Sequence, residues 1–128
     1  MSKITIVSLL DKKDQIKNKN NSTKKLFIES LSGEITIKEP SRELCAESMQ
    51  MLHEGSASRA DAHIVYNCVV EPNLKDAQLQ KEFGCVEPYD IVDTIFRAGE
   101  VVGISGECMA MAGYGNGVRE LDKQIKKP

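Results

Sequence analysis

The sequence predicts an α+β domain, mostly α, with a small N-terminal β-hairpin packed on a compact bundle of five or six short helices. Three observations predict it. Two short runs rich in β-branched and aromatic residues flank Gly33. Beyond Pro40, apolar residues recur three and four apart in several segments, the spacing of one helix face. Glu71-Pro72, Glu87-Pro88 and a series of glycines then cut that region into short pieces. Proline has no N–H to donate and drives the residue before it out of helical angles.

Taken in order, residues 2–10 alternate loosely and fit a short strand or the first turn of a helix. Residues 11–23 are polar and rich in Lys and Asn, with Ile16 alone to anchor them, and read as a loop or tether. Residues 1–25 are therefore set apart as a partly flexible, lysine-rich segment, and 26–128 as one domain. The hairpin spans 26–38: Leu26-Phe27-Ile28 and Ile35-Thr36-Ile37 around a turn at Ser32-Gly33-Glu34. Helices fill 41–127. Ser41 is placed to cap the first, whose stripe is Cys45, Met49 and Leu52. Gly55 closes it, and Ser58 with Asp61 resembles a capping box for the next helix, which carries Ile64, Val65, Cys68 and Val69. Three short helices then fold back on one another across residues 64–96.

Ala98-Gly99 reads as a turn before a helix that is apolar over much of its circumference, from Val101 to Ala112. Gly103 and Gly106 weaken it by roughly 1 kcal/mol each relative to Ala, which a close contact with a neighbouring helix would explain. Gly113 to Gly117 form a turn, and Val118, Leu121 and Ile125 end the chain on an amphipathic helix. The expected core holds Ile64, Cys68, Leu79, Phe83, Ile91, Ile95, Val102 and Leu121.

Composition bounds the function. The 128 residues are 41% hydrophobic and 28% charged, with no Trp, enough chain to bury roughly two thirds of its unfolded surface. No apolar run approaches the roughly 20 residues of a membrane span, and the start lacks a signal-peptide pattern, so the expected location is cytoplasmic. Residues 1–25 carry seven lysines against Asp11 and Asp14, whereas residues 26–118 carry six basic and fifteen acidic residues. The lysine-rich start has neither Arg nor an aromatic to stack on a base, and the acidic remainder lacks a phosphate-contacting face. No nucleic acid is expected as a partner. A small helical DNA-binding or regulatory protein is the alternative function.

No catalytic apparatus is visible. Cys45, Cys68, Cys85 and Cys108 lack the close pairing of zinc ligands and read as buried thiols. Glu87, Asp90 and Asp93 fit a solvated helix side better than an acid–base or Mg²⁺ site. Gly-Tyr-Gly-Asn-Gly lacks the preceding strand a nucleotide fingerprint needs. His53 and His63 have no matched serine partner in the sequence. Catalytic, metal and cofactor residues are thus expected to be none, and the chain is not expected to be an enzyme. Met49, Met51, Met109 and Met111 are flexible and polarizable, suited to a surface that accepts apolar partners. With Leu74 and Tyr89 they are the candidate partner-binding residues, set against simple core filling.

The stretch from Val69 to Gly106 resembles the XkdN-like phage tail assembly chaperones. The resemblance rests on Glu71-Pro72-Asn73-Leu74-Lys75-Asp76, Leu79, Phe83-Gly84, Glu87-Pro88, Gly99-Glu100 and Ser105-Gly106. It covers residues 60–118, more weakly the hairpin, and leaves residues 11–25 unplaced. It implies a prophage or phage protein that binds the tape measure protein, keeps that largely helical chain soluble, and gives way as tube subunits polymerise. The tail tube protein is a further implied contact; self-association is a separate partner expectation that no motif carries, and the oligomeric state stays open. The family's habit of a longer, frameshifted form makes Lys126-Lys127 a candidate slippage site, set against a plain lysine pair that suits a helix C-terminus, as at Lys12-Lys13 and Lys24-Lys25.

Overall fold

In the computed structural model, which describes residues 3–121, the chain starts with the helical alternative for residues 2–10, and a second short helix stands where a loop was expected. Helix α1 spans Ile6–Asp11 and α2 spans Lys13–Lys17, followed by a 3-10 turn at Lys19–Asn21. Thr5 and Ser8 start α1 reciprocally: the Ser8 N–H donates to Thr5 Oγ1 at 3.1 Å and the Thr5 N–H to Ser8 Oγ at 2.8 Å. That pairing satisfies two orphan donors of the first turn. Neither helix has a buried residue.

Strand β1 (Thr23–Ile28) begins inside the segment expected to precede the domain. It pairs antiparallel with β2 (Gly33–Lys38), with Leu26 opposite Ile35 and Ile28 opposite Gly33. Side chains alternate across a strand, so Leu26, Ile28, Ile35 and Ile37 share the inner face while Phe27 and Lys25 point outward. The left-handed residue of the turn is Ser32, at φ 50°, and Gly33 belongs to the strand. A third strand that the sequence reading missed, β3 (Val69–Glu71), adds to the other edge of β2, giving the order β1-β2-β3. Three strands with one apolar face form a more stable unit than a lone hairpin.

Helix α3 (Arg42–His53) starts at Ser41, whose Oγ accepts from the Leu44 N–H at 3.1 Å. Helix α4 (Ala57–Cys68) follows Gly55, at φ 84°, and begins at Ser56 rather than at a Ser58–Asp61 box. Helix α5 (Ala77–Glu82) is capped by Asp76 Oδ1 on the Leu79 N–H at 2.9 Å. It closes at Gly84, in the left-handed region at φ 67°. Helix α6 covers Asp90–Ile95 and α7 Ala98–Met111, so Ala98-Gly99 is the first turn of α7 and no separate turn. The Asp90 carboxylate accepts from the Val86 and Glu87 N–H groups at 3.1 and 2.9 Å. A local structural role thus uses that acid.

Helix α4 is the hub, packed against α3, α6, α7 and β3, while α7 also meets β2. The core gathers Ile28, Ile35 and Ile37 from the sheet with Ile64, Val65 and Cys68, Leu74, Ile91, Val92 and Phe96, and Val101, Ile104 and Cys108. Of the expected core, Ile64, Cys68 and Ile91 are fully buried; Leu79 and Ile95 are partly buried against it. Phe83, Val102 and Leu121 are not core: they are 53%, 59% and 48% exposed. Phe83 caps α5 at an open turn. Val102 lies to one side of the buried stripe of Val101, Ile104, Ser105 and Cys108, at the border of the exposed face of α7. The inner stripe of α3 is Cys45 and Ser48, with Met49 and Leu52 outside. Leu121 is helical, and the rest of the expected terminal helix, with Ile125 and Lys126-Lys127, lies outside the described residues.

Candidate partner-binding surface

The strongest polar constellation joins α3, α4 and the entry to α6. His63 Nε2 lies 2.9 Å from Glu47 Oε1, and His63 Nδ1 is hydrogen-bonded to the Tyr89 hydroxyl. Asn67, one turn on, donates to the His63 carbonyl at 2.9 Å and accepts from Lys75 Nζ at 2.9 Å. Tyr66 stacks at a tilt on Tyr89, ring centroids 4.5 Å apart, with Lys75 Nζ 5.3 Å from the Tyr66 centroid. Both ring nitrogens of His63 are taken up by these contacts. The cluster braces three helices and leaves no free imidazole nitrogen to move a proton or bind a metal. Sequence spacing alone does not reveal it, because Glu47, His63 and Tyr89 are 16 and 26 residues apart.

Three of the four cysteines are inward, whereas Cys85, expected to be buried as well, is only partly so. Burial pushes the Cys45 thiol up, opposed by a hydrogen bond from Tyr114. A hydrogen bond with Cys108 holds Cys68 low despite its burial, and the same bond, with burial, drives Cys108 far up. Cys45, Cys68 and Cys108 are all buried, and no described cysteine is in a disulfide. Beside Cys45 a cleft of about 290 Å³ is lined by Lys19, Glu39, Arg42 and Tyr114. Its mixed charges suit water better than an apolar helix.

The candidate partner residues do not form one groove. Leu74 is fully buried and is removed from any docking surface. Tyr89 is partly buried within the polar cluster. Met51 is half-buried, and Met109 and Met111 pack partly against the core; Met49 is exposed on the outer side of α3. The two methionine pairs sit on helices that share α4 as a neighbour rather than packing extensively on each other.

The open feature is the outer face of α7. Gly99, Gly103, Gly106 and Ala110 recur at helical spacing and are all exposed. A Cβ built on any of the three glycines meets nothing within 4 Å. Among the described residues no neighbour uses their smallness, whereas the sequence led to a helix–helix contact there. Val102 and Met109, seven apart, edge this face on one side. Glu100 and Glu107 edge it on the other, where they tie α7 to the hairpin. Glu100 accepts from the Ser30 hydroxyl at 2.8 Å and the Ser30 N–H at 3.1 Å, and Lys24 meets Glu107 at 2.6 Å. Backbone hydrogen bonding from Arg97 and the Ser30 hydroxyl hold the Glu100 carboxyl below its ordinary range.

The GYGNG run has a conformational reason. Gly113 and Gly115 take φ of 93° and 92°, and a Cβ on Gly117 would stand 2.3 Å from the Gly113 carbonyl oxygen. Those glycines close α7 and need no nucleotide to explain them.

No helix among the described residues is long and apolar enough to cross a membrane. Compared with known proteins, the chain matches the model of the phage XkdN-like tail assembly chaperone protein family over residues 6–126. The match takes in residues 11–25, which the sequence reading left outside the resemblance. No curated protein and no solved structure matches.

Proposed function

The chain belongs to the phage XkdN-like tail assembly chaperone family, and on that premise we propose that it shields a helical stretch of the tape measure protein during tail assembly. The observation that carries the reading to particular residues is the open glycine face of α7. A helix whose own glycines meet no neighbour admits the backbone of an incoming helix at short range. An apolar partner stripe then packs over Gly99, Gly103 and Gly106 against Val102 and Met109. Met49, exposed on α3, which like α7 packs on α4, is a secondary contact for a longer segment.

Such a face binds modestly. It offers no large aromatic anchor, and strong interfaces draw most of their energy from a few such residues. Modest affinity is what a holding protein needs if polymerising tube subunits are to displace it. The fifteen acidic residues of 26–118 keep the complex soluble and repel nucleic acid.

The test is co-expression of a tape measure protein from the same phage or prophage, with and without this chain, followed by affinity capture. The complex is expected in the soluble fraction, and the tape measure protein alone in the pellet. Equal solubility without the chain, and no captured complex, overturns the proposal.

A further inference from the structure

We infer that residues 3–17 are a docking arm for a second copy of this chain, received at the acidic turn that carries Phe83 and Val86. This goes beyond chaperone activity and rests on different residues. Ile4, Ile6, Val7, Leu9 and Leu10 are 48–80% exposed, and no residue of α1 or α2 is buried. Among the described residues, nothing of the same copy covers them. Yet α1 is locally well specified by its Thr5–Ser8 capping pair. Helices of six and five residues have little stability in water without a packed surface. Something other than this copy's core supplies that surface.

Charge says what supplies it. The arm's apolar residues are interleaved with Lys3, Lys12, Lys13 and Lys17, and residues 1–25 hold seven lysines against two acids. Residues 26–118 invert that ratio, with six basic against fifteen acidic residues. A second copy therefore presents a complementary body. Within it, the turn between α5 and α6 combines exposed apolar side chains with exposed acid. Phe83 is 53% and Val86 89% exposed, beside Glu82 and Glu87, with Asp90 and Asp93 on the helix that follows. Leu9 and Leu10 seat on Phe83 and Val86, and Lys12 and Lys13 face Glu82 and Glu87. Two copies exchanging arms reciprocally bury both apolar sets and close the assembly as a symmetric dimer. The arm has no Arg or aromatic to grip nucleic acid, so the acidic protein surface is the favoured occupant.

Sedimentation velocity of the full chain over a concentration series, at low and high ionic strength, reads the association. The wild type is expected to dimerise, more weakly in high salt because the charged rim is screened. Leu9→Ser with Leu10→Ser, and separately Phe83→Ser with Val86→Ser, should each weaken the dimer about a hundredfold, from the lost apolar burial. Both sets of positions are exposed, so thermal melting at a concentration where wild type and variants are all monomeric should be unchanged and confirms an intact fold. Mixing the two variants restores one intact arm–turn contact, so the mixture should associate more strongly than either variant alone. A wild type that stays monomeric at every concentration, a dimer indifferent to both pairs of substitutions, or a mixture no better than its components overturns the proposal.

Discussion

Replacing Gly103 and Gly106 of α7 by alanine should stabilise the protein. Each glycine sits in a helix interior, is exposed, and leaves a built Cβ with no atom within 4 Å. Alanine at such a site gains about 1 kcal/mol by restricting the unfolded chain and favouring the helix. The pair should gain about 2 kcal/mol, which for a domain of this size raises Tm by about 8 °C. Circular dichroism melting, with urea unfolding to verify an unchanged m-value, measures it. A fall in stability would show that another part of the chain packs closely on these glycines, and the open face would then not exist. The same double variant raises the floor over which a partner helix must lie, so it should bind that helix less well while melting higher. Opposite signs for stability and binding set a docking face apart from a damaged fold.

Ile64→Ala, at the fully buried centre of α4, should cost about 2–5 kcal/mol, whereas exposed Phe83→Ala should stay within about 0.5 kcal/mol; equal urea midpoints would contradict the core assignment. Ser41→Ala, which strips the cap from the Leu44 N–H, should cost about 1 kcal/mol by the same assay. Glu100 has a depressed carboxyl pKa, so its contribution is present above the unfolded value and lost as pH falls through the folded one. Glu100→Gln should therefore be less stable than wild type at neutral pH and converge on it in acid; a gap independent of pH would refute the role of the charge.

Much of the fold is legible in residues that act locally. Leu26 to Ile28 and Ile35 to Ile37 announce their strands by β-branched alternation, and Ser41, Gly55 and Gly84 mark helix ends by capping chemistry that needs no distant partner. Val69–Glu71 is different. Val69 continues the apolar face of α4, and only pairing with Ile37 and Thr36, more than thirty residues earlier, makes the segment a strand. The exposed Phe83 and Val102 were misplaced for a related reason. A helix that is apolar most of the way round does not declare which side its neighbours will take, and in α7 the choice falls on Val101, Ile104 and Cys108. The candidate site suffered most. Periodicity placed the methionines on helices, but Leu74 follows the break at Pro72, where periodicity gives no direction. The glycines of α7 were legible as unusual but not as outward-facing, because that depends on α4 covering the opposite side.

The central claim is that the outer face of α7 receives a tape measure helix. The direct measurement is titration of a fluorescently labelled helical segment of the tape measure protein with wild-type chain and with Gly103→Leu. A leucine there stands on the helix surface in open space, so the fold is retained while the approach is blocked. The account predicts saturable binding to the wild type and at least about tenfold weaker binding to the variant, a difference of about 1.4 kcal/mol. No binding to the wild type, or equal affinity for both proteins, would contradict it.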